Sequence, residues 1–200
     1  MPEWVENRPT RGGRALDLRE LWQYRELARF FAVRDLKVRY KQAAFGVGWA
    51  ILRPIAGAIV LTVVFRQVAG VPSDGLAYVP FALLGYSAWS YFSTSLGGAA
   101  SSLVSNSALI TKVYFPRLLA PAAAVVPGLV DLAVALVPLA LVMAWTATAP
   151  GIGLVTLPLW VAALAVTALG IGLWFATVNV RYRDAGALLG LLMQLWFFLS

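Results

Sequence analysis

Four stretches of this chain, at about residues 48–69, 78–98, 118–145 and 152–178, each supply roughly twenty predominantly apolar residues. That is the length a helix needs to cross the ~30 Å hydrocarbon core of a bilayer. A fifth stretch starts near Ala185 and is still apolar at Ser200, 16 residues on, or about 24 Å of helix. Such a series permits few folds. In lipid no water completes the hydrogen bonding of an open backbone, so each apolar segment must satisfy its own N–H and C=O groups as a helix. The chain is therefore expected to be all-α: a polytopic integral membrane protein with four complete spans and one incomplete span. A run that stops inside an apolar helix is expected of a piece of a longer protein.

Charge sorts with the same segments. Of sixteen Lys and Arg, ten lie within residues 1–42. Arg53 begins the first span, Lys112 and Arg117 sit between the second and third, and Arg181 and Arg183 between the fourth and fifth. The two remaining connections are almost bare, with only Asp74 in residues 70–77 and no charge in residues 146–151. Arg66 is the exception. Positive charge concentrates on the cytoplasmic side of membrane proteins, so the amino terminus is expected in the cytoplasm. A formal net charge of +7 would otherwise raise the question of nucleic acid. Here a basic block directly ahead of spans is accounted for by orientation, and no nucleic-acid partner is expected. The first 42 residues hold no apolar core with a small-residue cleavage site, so the first span would act as an uncleaved signal. Arg53 and Arg66 bracket that span, where their guanidinium groups would snorkel to opposite interfaces.

Residues 1–16 are expected to form a tail and residues 17–47 an amphipathic helix lying in the cytoplasmic interface. Between Leu21 and Phe31 the polar Arg25, Glu26 and Arg29 share one arc, while Tyr24, Leu27, Ala28, Phe30 and Phe31 occupy the other. From Ala32 the apolar arc (Val33, Leu36, Tyr40) turns to the opposite side, which predicts two helical pieces with a bend between them. A basic face backed by aromatics suits a membrane surface. The alternative, a solvated basic tail, is argued against by Trp22, Phe30 and Phe31.

Four stretches together resemble one family. Residues 33–56 (VRDLKVRYKQAAFGVGWAILRPIA), 78–92 (YVPFALLGYSAWSYF), 106–121 (NSALITKVYFPRLLAP) and 178–184 (VNVRYRD) are similar, in order and spacing, to the permease subunits of type-2 ABC exporters. Those exporters move O-antigen, capsular polysaccharide or teichoic acid. The resemblance implies a homodimer of permeases in the bacterial inner membrane, exporting a lipid-linked glycan with energy from a separate ATPase subunit. ATP and Mg would bind that partner, with no cofactor on this chain. Family members continue beyond the position of Ser200 through a re-entrant segment and a sixth span. The resemblance places ATPase docking on the interface helix (Trp22, Arg34, Asp35) and on the segment Lys112, Val113, Tyr114, Phe115, Pro116 and Arg117. The loop bearing Arg181, Arg183 and Asp184 is a further candidate contact. Read without it, Tyr114 and Phe115 equally suit an interfacial aromatic belt, and Asp184 a cap on the fifth helix.

The residues themselves close off several chemistries. With no Cys and no His, thiolate nucleophiles, imidazole acid–base catalysis and the usual zinc ligands are missing. Lys37, Lys41 and Lys112 are the lysines of the chain, and each lacks the glycines of a phosphate-binding loop. The chain is therefore read as a transport subunit without catalytic or metal-binding residues. Asp131 is the one acid inside an expected span, where an ionised carboxylate must be paired or wet. It is a channel candidate, with proton coupling or a structural hydrogen bond as the alternatives. Tyr86, Trp89, Tyr91 and Phe92 are candidate conduit-lining aromatics, set against a role in packing or lipid contact. Gly97, Gly98, Gly170 and Gly172 are expected to permit close helix packing. Three other functions stay open: an ion-coupled secondary transporter, a type-2 ABC permease for a drug or lipid, and a membrane glycosyltransferase. The last would need acidic clusters that the sequence does not show.

Overall fold

A computed structural model describes residues 18–41, 48–64, 78–147, 151, 153–182 and 184–199. Among these the chain is all-helical. Helix α1 spans Leu18–Gln23 and α2 Arg25–Lys41; α3 is Gly48–Leu61, α4 Tyr78–Ser105 and α5 the single turn Ser107–Ile110. Then come α6 (Leu119–Trp145), α7 (Gly153–Arg181) and α8 (Ala185–Leu199). Helices α6 and α7 are long and apolar enough to cross a membrane, at ~40 Å or more of rise. Residues 48–64 and α8 are shorter apolar helices. The expected tail at 1–16, Arg66, Asp74, Arg183 and Ser200 lie outside the described residues.

Helix α4 is the hub. It packs against α3, α6, α7 and α8, burying Tyr78, Leu83, Tyr91, Phe92, Leu96 and Ala99 along its length. The closest approaches use small residues. A Cβ on Gly172 of α7 would come within 2.5 Å of Ala99 Cβ, and one on Gly128 of α6 within 2.7 Å of Ser95 Oγ. Gly98 faces the Ala124 carbonyl, 3.2 Å from where its Cβ would stand. Without a hydrophobic drive between helices in lipid, such backbone contact is what dispersion forces require. Gly97 and Gly170 have nothing within 4 Å of a built Cβ; the expected packing role falls on Gly98 and Gly172. The outer face of α7 is the reverse of a soluble protein's surface, with Val155, Leu159, Trp160 and Val166 at 67–79% exposure.

Prolines inside α3, α6 and α7 (Pro54, Pro127, Pro138, Pro158) do not end their helices. Packed neighbours and local adjustments re-satisfy the freed carbonyls of a membrane helix. Five α4 serines are satisfied by their own helix; among them Ser87 donates to the Leu83 carbonyl at 2.6 Å, Ser101 to that of Gly97 at 2.9 Å and Ser102 to that of Ala99 at 2.7 Å. This back-bonding lets a serine-rich helix pack among apolar ones.

The amino-terminal helices correct one expectation. The break falls at Tyr24, and α2 runs unbroken from Arg25 to Lys41, so there is no bend near Ala32. One face of α2 stays turned to α6 throughout, while its chemistry changes along the way. Phe31 and Ala32 are buried, Phe31 in an apolar cluster with Phe115, Leu119, Ala120 and Ala123. Two turns further on, Arg39 and Tyr40 reach Asp131 of α6. Eight or nine residues of α2 thus match eight to twelve of α6. The two helices run in the same direction, side by side, for about 12 Å.

Candidate functional site

The first candidate region is the module formed by α1, α2, α5 and the connection 111–118. Its pin is the pair Phe31–Phe115, edge to face with ring centroids 5.6 Å apart. Leu21, Tyr24, Leu27, Leu109 and Ile110 pack around it. Phe115 is 5% exposed and packed inside the module. Pro116 follows it, and the Leu119 N–H closes a turn on the Pro116 carbonyl at 2.9 Å, holding the ring against α2. The faces left outward are Val113 and Tyr114, both about half exposed, and Trp22 at 70%. Lys112 and Arg117 are exposed beside them. Trp22 carries the Arg25 guanidinium 5.4 Å from its ring centroid. Arg34 lies 5.2 Å over the Phe31 ring and pairs with Asp35 at 2.8 Å. Arg34 and Asp35 thus neutralise each other on the flank of the pin. Arg181 stacks on Tyr182 at 5.5 Å. Among the described residues the Asp184 carboxylate makes no cap; its carbonyl accepts the Leu188 N–H at 3.0 Å.

The second region is polar and lies between helices. Arg39 Nη1 and Tyr40 Oη both donate to the Asp131 carboxylate, one to each oxygen. The carboxylate is therefore paired, and it ties α2 to α6. Burial, the hydrogen bond to Asp131 and the nearby carboxylate charge push the Tyr40 hydroxyl up to about 12. The partner of Arg39 was not legible in the sequence. A cavity of about 310 Å³ adjoins the pair, with Arg53, Ser90, Tyr91 and Thr94 among its walls.

The candidate conduit aromatics divide. Phe92 is 5% exposed and packed with Leu96, Phe175 and Leu189, and Tyr91, at 2%, with Val125 and Leu132. Both are packed in the helix core, and Tyr91 also borders the polar cavity. Tyr86 and Trp89, like Phe92, meet aromatics of α8. Tyr86 meets Phe197 at 6.5 Å, while Trp89 meets Phe197 at 5.5 Å and Trp196 at 6.3 Å. The aromatics of α8 that complete this group follow no spacing that marks them out in the sequence.

A family model described as "ABC-2 type transporter" matches residues 27–200. Similar curated proteins are O-antigen export system permease proteins RfbA. One from Myxococcus xanthus is 34% identical over 186 residues, 90% of this chain and 69% of that protein. Two from Klebsiella pneumoniae are 29% and 28% identical, each over 82% of this chain and 63% of the relative. The chain thus spans about two thirds of the length of the relatives it matches.

Proposed function

Since the chain belongs to the ABC-2 type transporter family, its family match covering residues 27–200, we propose that it is the membrane permease part of an ABC exporter of O-antigen-type polysaccharide. The observation that carries this is the agreement of three curated relatives, all named O-antigen export permeases, along most of the chain. A lipid-linked form of the glycan, a homodimeric permease and residence in the bacterial inner membrane with a cytoplasmic amino terminus complete the reading. Five spans in this chain, at α3, α4, α6, α7 and α8, fit the apolar helices and the sidedness of charge.

Energy would come from a separate ATPase, since no phosphate loop occurs in the sequence. Docking falls on the pinned cytoplasmic module. Its outward Trp22, Val113 and Tyr114, with Lys112 and Arg117 beside them, have the aromatic and cationic character that dominates interface energetics. The buried Phe31–Phe115 pair makes that module rigid, and α2 continues from it to Asp131. A push from the partner would therefore reach α6 through one continuous helix. The aromatics turned toward α8 could present ring faces to sugar C–H surfaces.

The test is a pull-down of the tagged, full-length protein from detergent-solubilised membranes. A stoichiometric ATP-binding partner is expected, and Tyr114→Ala should reduce its recovery while leaving the permease inserted. A clean preparation with no ATPase would reject the ABC reading and favour ion-coupled transport, with Asp131 the next residue to test.

A further inference from the structure

The polar cavity between α2, α3, α4 and α6, about 310 Å³ in volume, holds more positive charge than it neutralises. Arg39, Arg53 and Asp131 line it, two cations to one carboxylate. That carboxylate is committed, one oxygen accepting from Arg39 and the other from Tyr40. Arg53 has no carboxylate partner among the described residues; its contact is the Trp49 ring, 5.8 Å from the guanidinium carbon. An unmatched guanidinium beside apolar helices is costly, and a ring face leaves most of its N–H fork without an acceptor. Arg53 is itself exposed, so an occupant that matches it can exchange.

The rest of the wall is also rich in donors and poor in acceptors. Ser87, Ser93, Ser101, Ser102 and Ser105 donate back into their own helix. Ser90 and Thr94, one turn apart and both on the cavity wall, make no such bond among the described residues. Trp49 and Ala50, on the α3 side of the wall, belong to the first turn of that helix, which holds no acidic side chain. The orphan N–H groups of a first turn add positive potential to that of Arg53. Pro54, Leu132 and Ala135 complete the wall with apolar surface.

We propose that this cavity binds a monovalent inorganic anion of halide size, held by the Arg53 guanidinium with the Ser90 and Thr94 hydroxyls as further donors. One such ion brings Arg39, Arg53 and Asp131 to neutrality. A dianion would leave an excess negative charge near the Asp131 carboxylate, where partial burial strengthens the repulsion. A weakly hydrated ion also sheds its water more readily against apolar walls than phosphate or a carboxylate does. Bridging Arg53 of α3 to the hydroxyls of α4, the ion fastens the start of α3 to the hub helix beside the Asp131 anchor. It is a resident of the cavity and not the exported cargo, so its failure leaves the ABC permease reading untouched; that reading falls only with the pull-down.

The test is chlorine NMR of the full-length protein, purified in detergent with gluconate as the anion and titrated with sodium chloride. Chloride that exchanges with a protein site broadens the chloride line, and saturable broadening is expected. Bromide should displace it, while phosphate at equal concentration should not. Arg53→Gln should lower the saturable broadening about tenfold, as loss of a charge-assisted bond implies. Ser90→Ala with Thr94→Val leaves the charges intact; it should weaken chloride about threefold to tenfold and serves if Arg53→Gln does not elute as a single species. Arg25→Gln removes a guanidinium stacked on Trp22, away from the cavity, and should broaden the line as wild type does. Broadening that does not saturate, wild-type broadening in Arg53→Gln or the double variant, or an equal fall in Arg25→Gln overturns the site. Displacement by phosphate as effective as that by bromide overturns the halide assignment in favour of an oxyanion.

Discussion

Asp131 takes its properties from two residues that lie more than ninety positions earlier in the sequence. The carboxylate accepts from Arg39 and from Tyr40, and the ion pair is about one-third exposed on each side. Partial solvation keeps its net worth near that of surface pairs, on the order of 1 kcal/mol. Asp131→Asn keeps an acceptor for Tyr40 but loses the charge. It should lower the thermal midpoint of the purified protein by roughly 2–4 °C while leaving transport largely intact. Complete loss of transport with normal assembly would instead make Asp131 a proton-coupling group. Tyr40 adds a pH dependence of known sign. Its hydroxyl titrates at about 12 in the folded chain against 10.0 for a free phenol, so folding favours the protonated form. That stabilisation is complete below pH 10 and is lost as pH rises from 10 through about 12. Melting curves recorded from pH 7 to 12 should therefore be flat in this contribution up to pH 9 and fall above 10. In Tyr40→Phe the part of the fall due to this group should be missing; an identical alkaline fall in that variant would refute the assignment.

Helices α2 and α4 differ in how much the sequence reveals of them. The apolar segments read from the sequence at 78–98, 118–145 and 152–178 coincide with stretches of α4, α6 and α7, because an uninterrupted apolar run leaves its backbone no alternative to a helix. The orientation of α2 was not legible. Its face toward α6 passes from Phe31 to Arg39, from apolar to charged, and hydrophobicity alone reads that passage as a rotation. Nor does composition separate Gly170 from Gly172 of α7, since only the placement of Ala99 on α4 decides which is crowded. Gly172→Val should separate α7 from α4 and destabilise by about 1–3 kcal/mol. Gly170→Val, facing open space, should melt within a degree or two of wild type. Equal effects in thermal melts would contradict the packing. For α2 the decisive contact is the ring pair, and removing a buried phenyl ring costs roughly 3 kcal/mol or more. That is enough to release one helix held mainly by a single cluster. Phe115→Ala should make α2 a fast site of limited proteolysis around Arg34 and Lys37 while the helices from α4 onward resist. A digestion pattern identical to wild type would mean that the Asp131 pair alone holds α2 in place.

At the scale of the whole molecule, the sidedness of charge and the two anchors of α2 have to be compatible. The basic module pinned by Phe115 includes the connection 111–118, which carries Lys112 and Arg117. Residues 146–151 at the opposite end of α6 carry no charge. If α6 crosses the bilayer, its start is cytoplasmic and its end external, and α2 must enter beside it from the cytoplasmic side to reach Asp131. A basic helix can do so only because its inward face ends in a paired Arg39 and a protonated Tyr40, while Lys37 and Lys41 stay exposed. The absence of Cys from the sequence makes this arrangement directly measurable. Single cysteines at Asp74, Lys112, Thr148 and Tyr182, introduced one at a time, can be probed with a membrane-impermeant maleimide in intact spheroplasts and again after permeabilisation. Asp74→Cys and Thr148→Cys should label in intact cells; Lys112→Cys and Tyr182→Cys should label only once the membrane is opened. Labelling of Lys112→Cys from outside would invert the topology. It would put the Trp22–Tyr114 surface on the wrong side for any ATP-driven partner, so the docking proposal would fall with it. The expected alternation would instead place that surface, α2 and the Asp131 anchor on one path leading from the cytoplasm into the membrane.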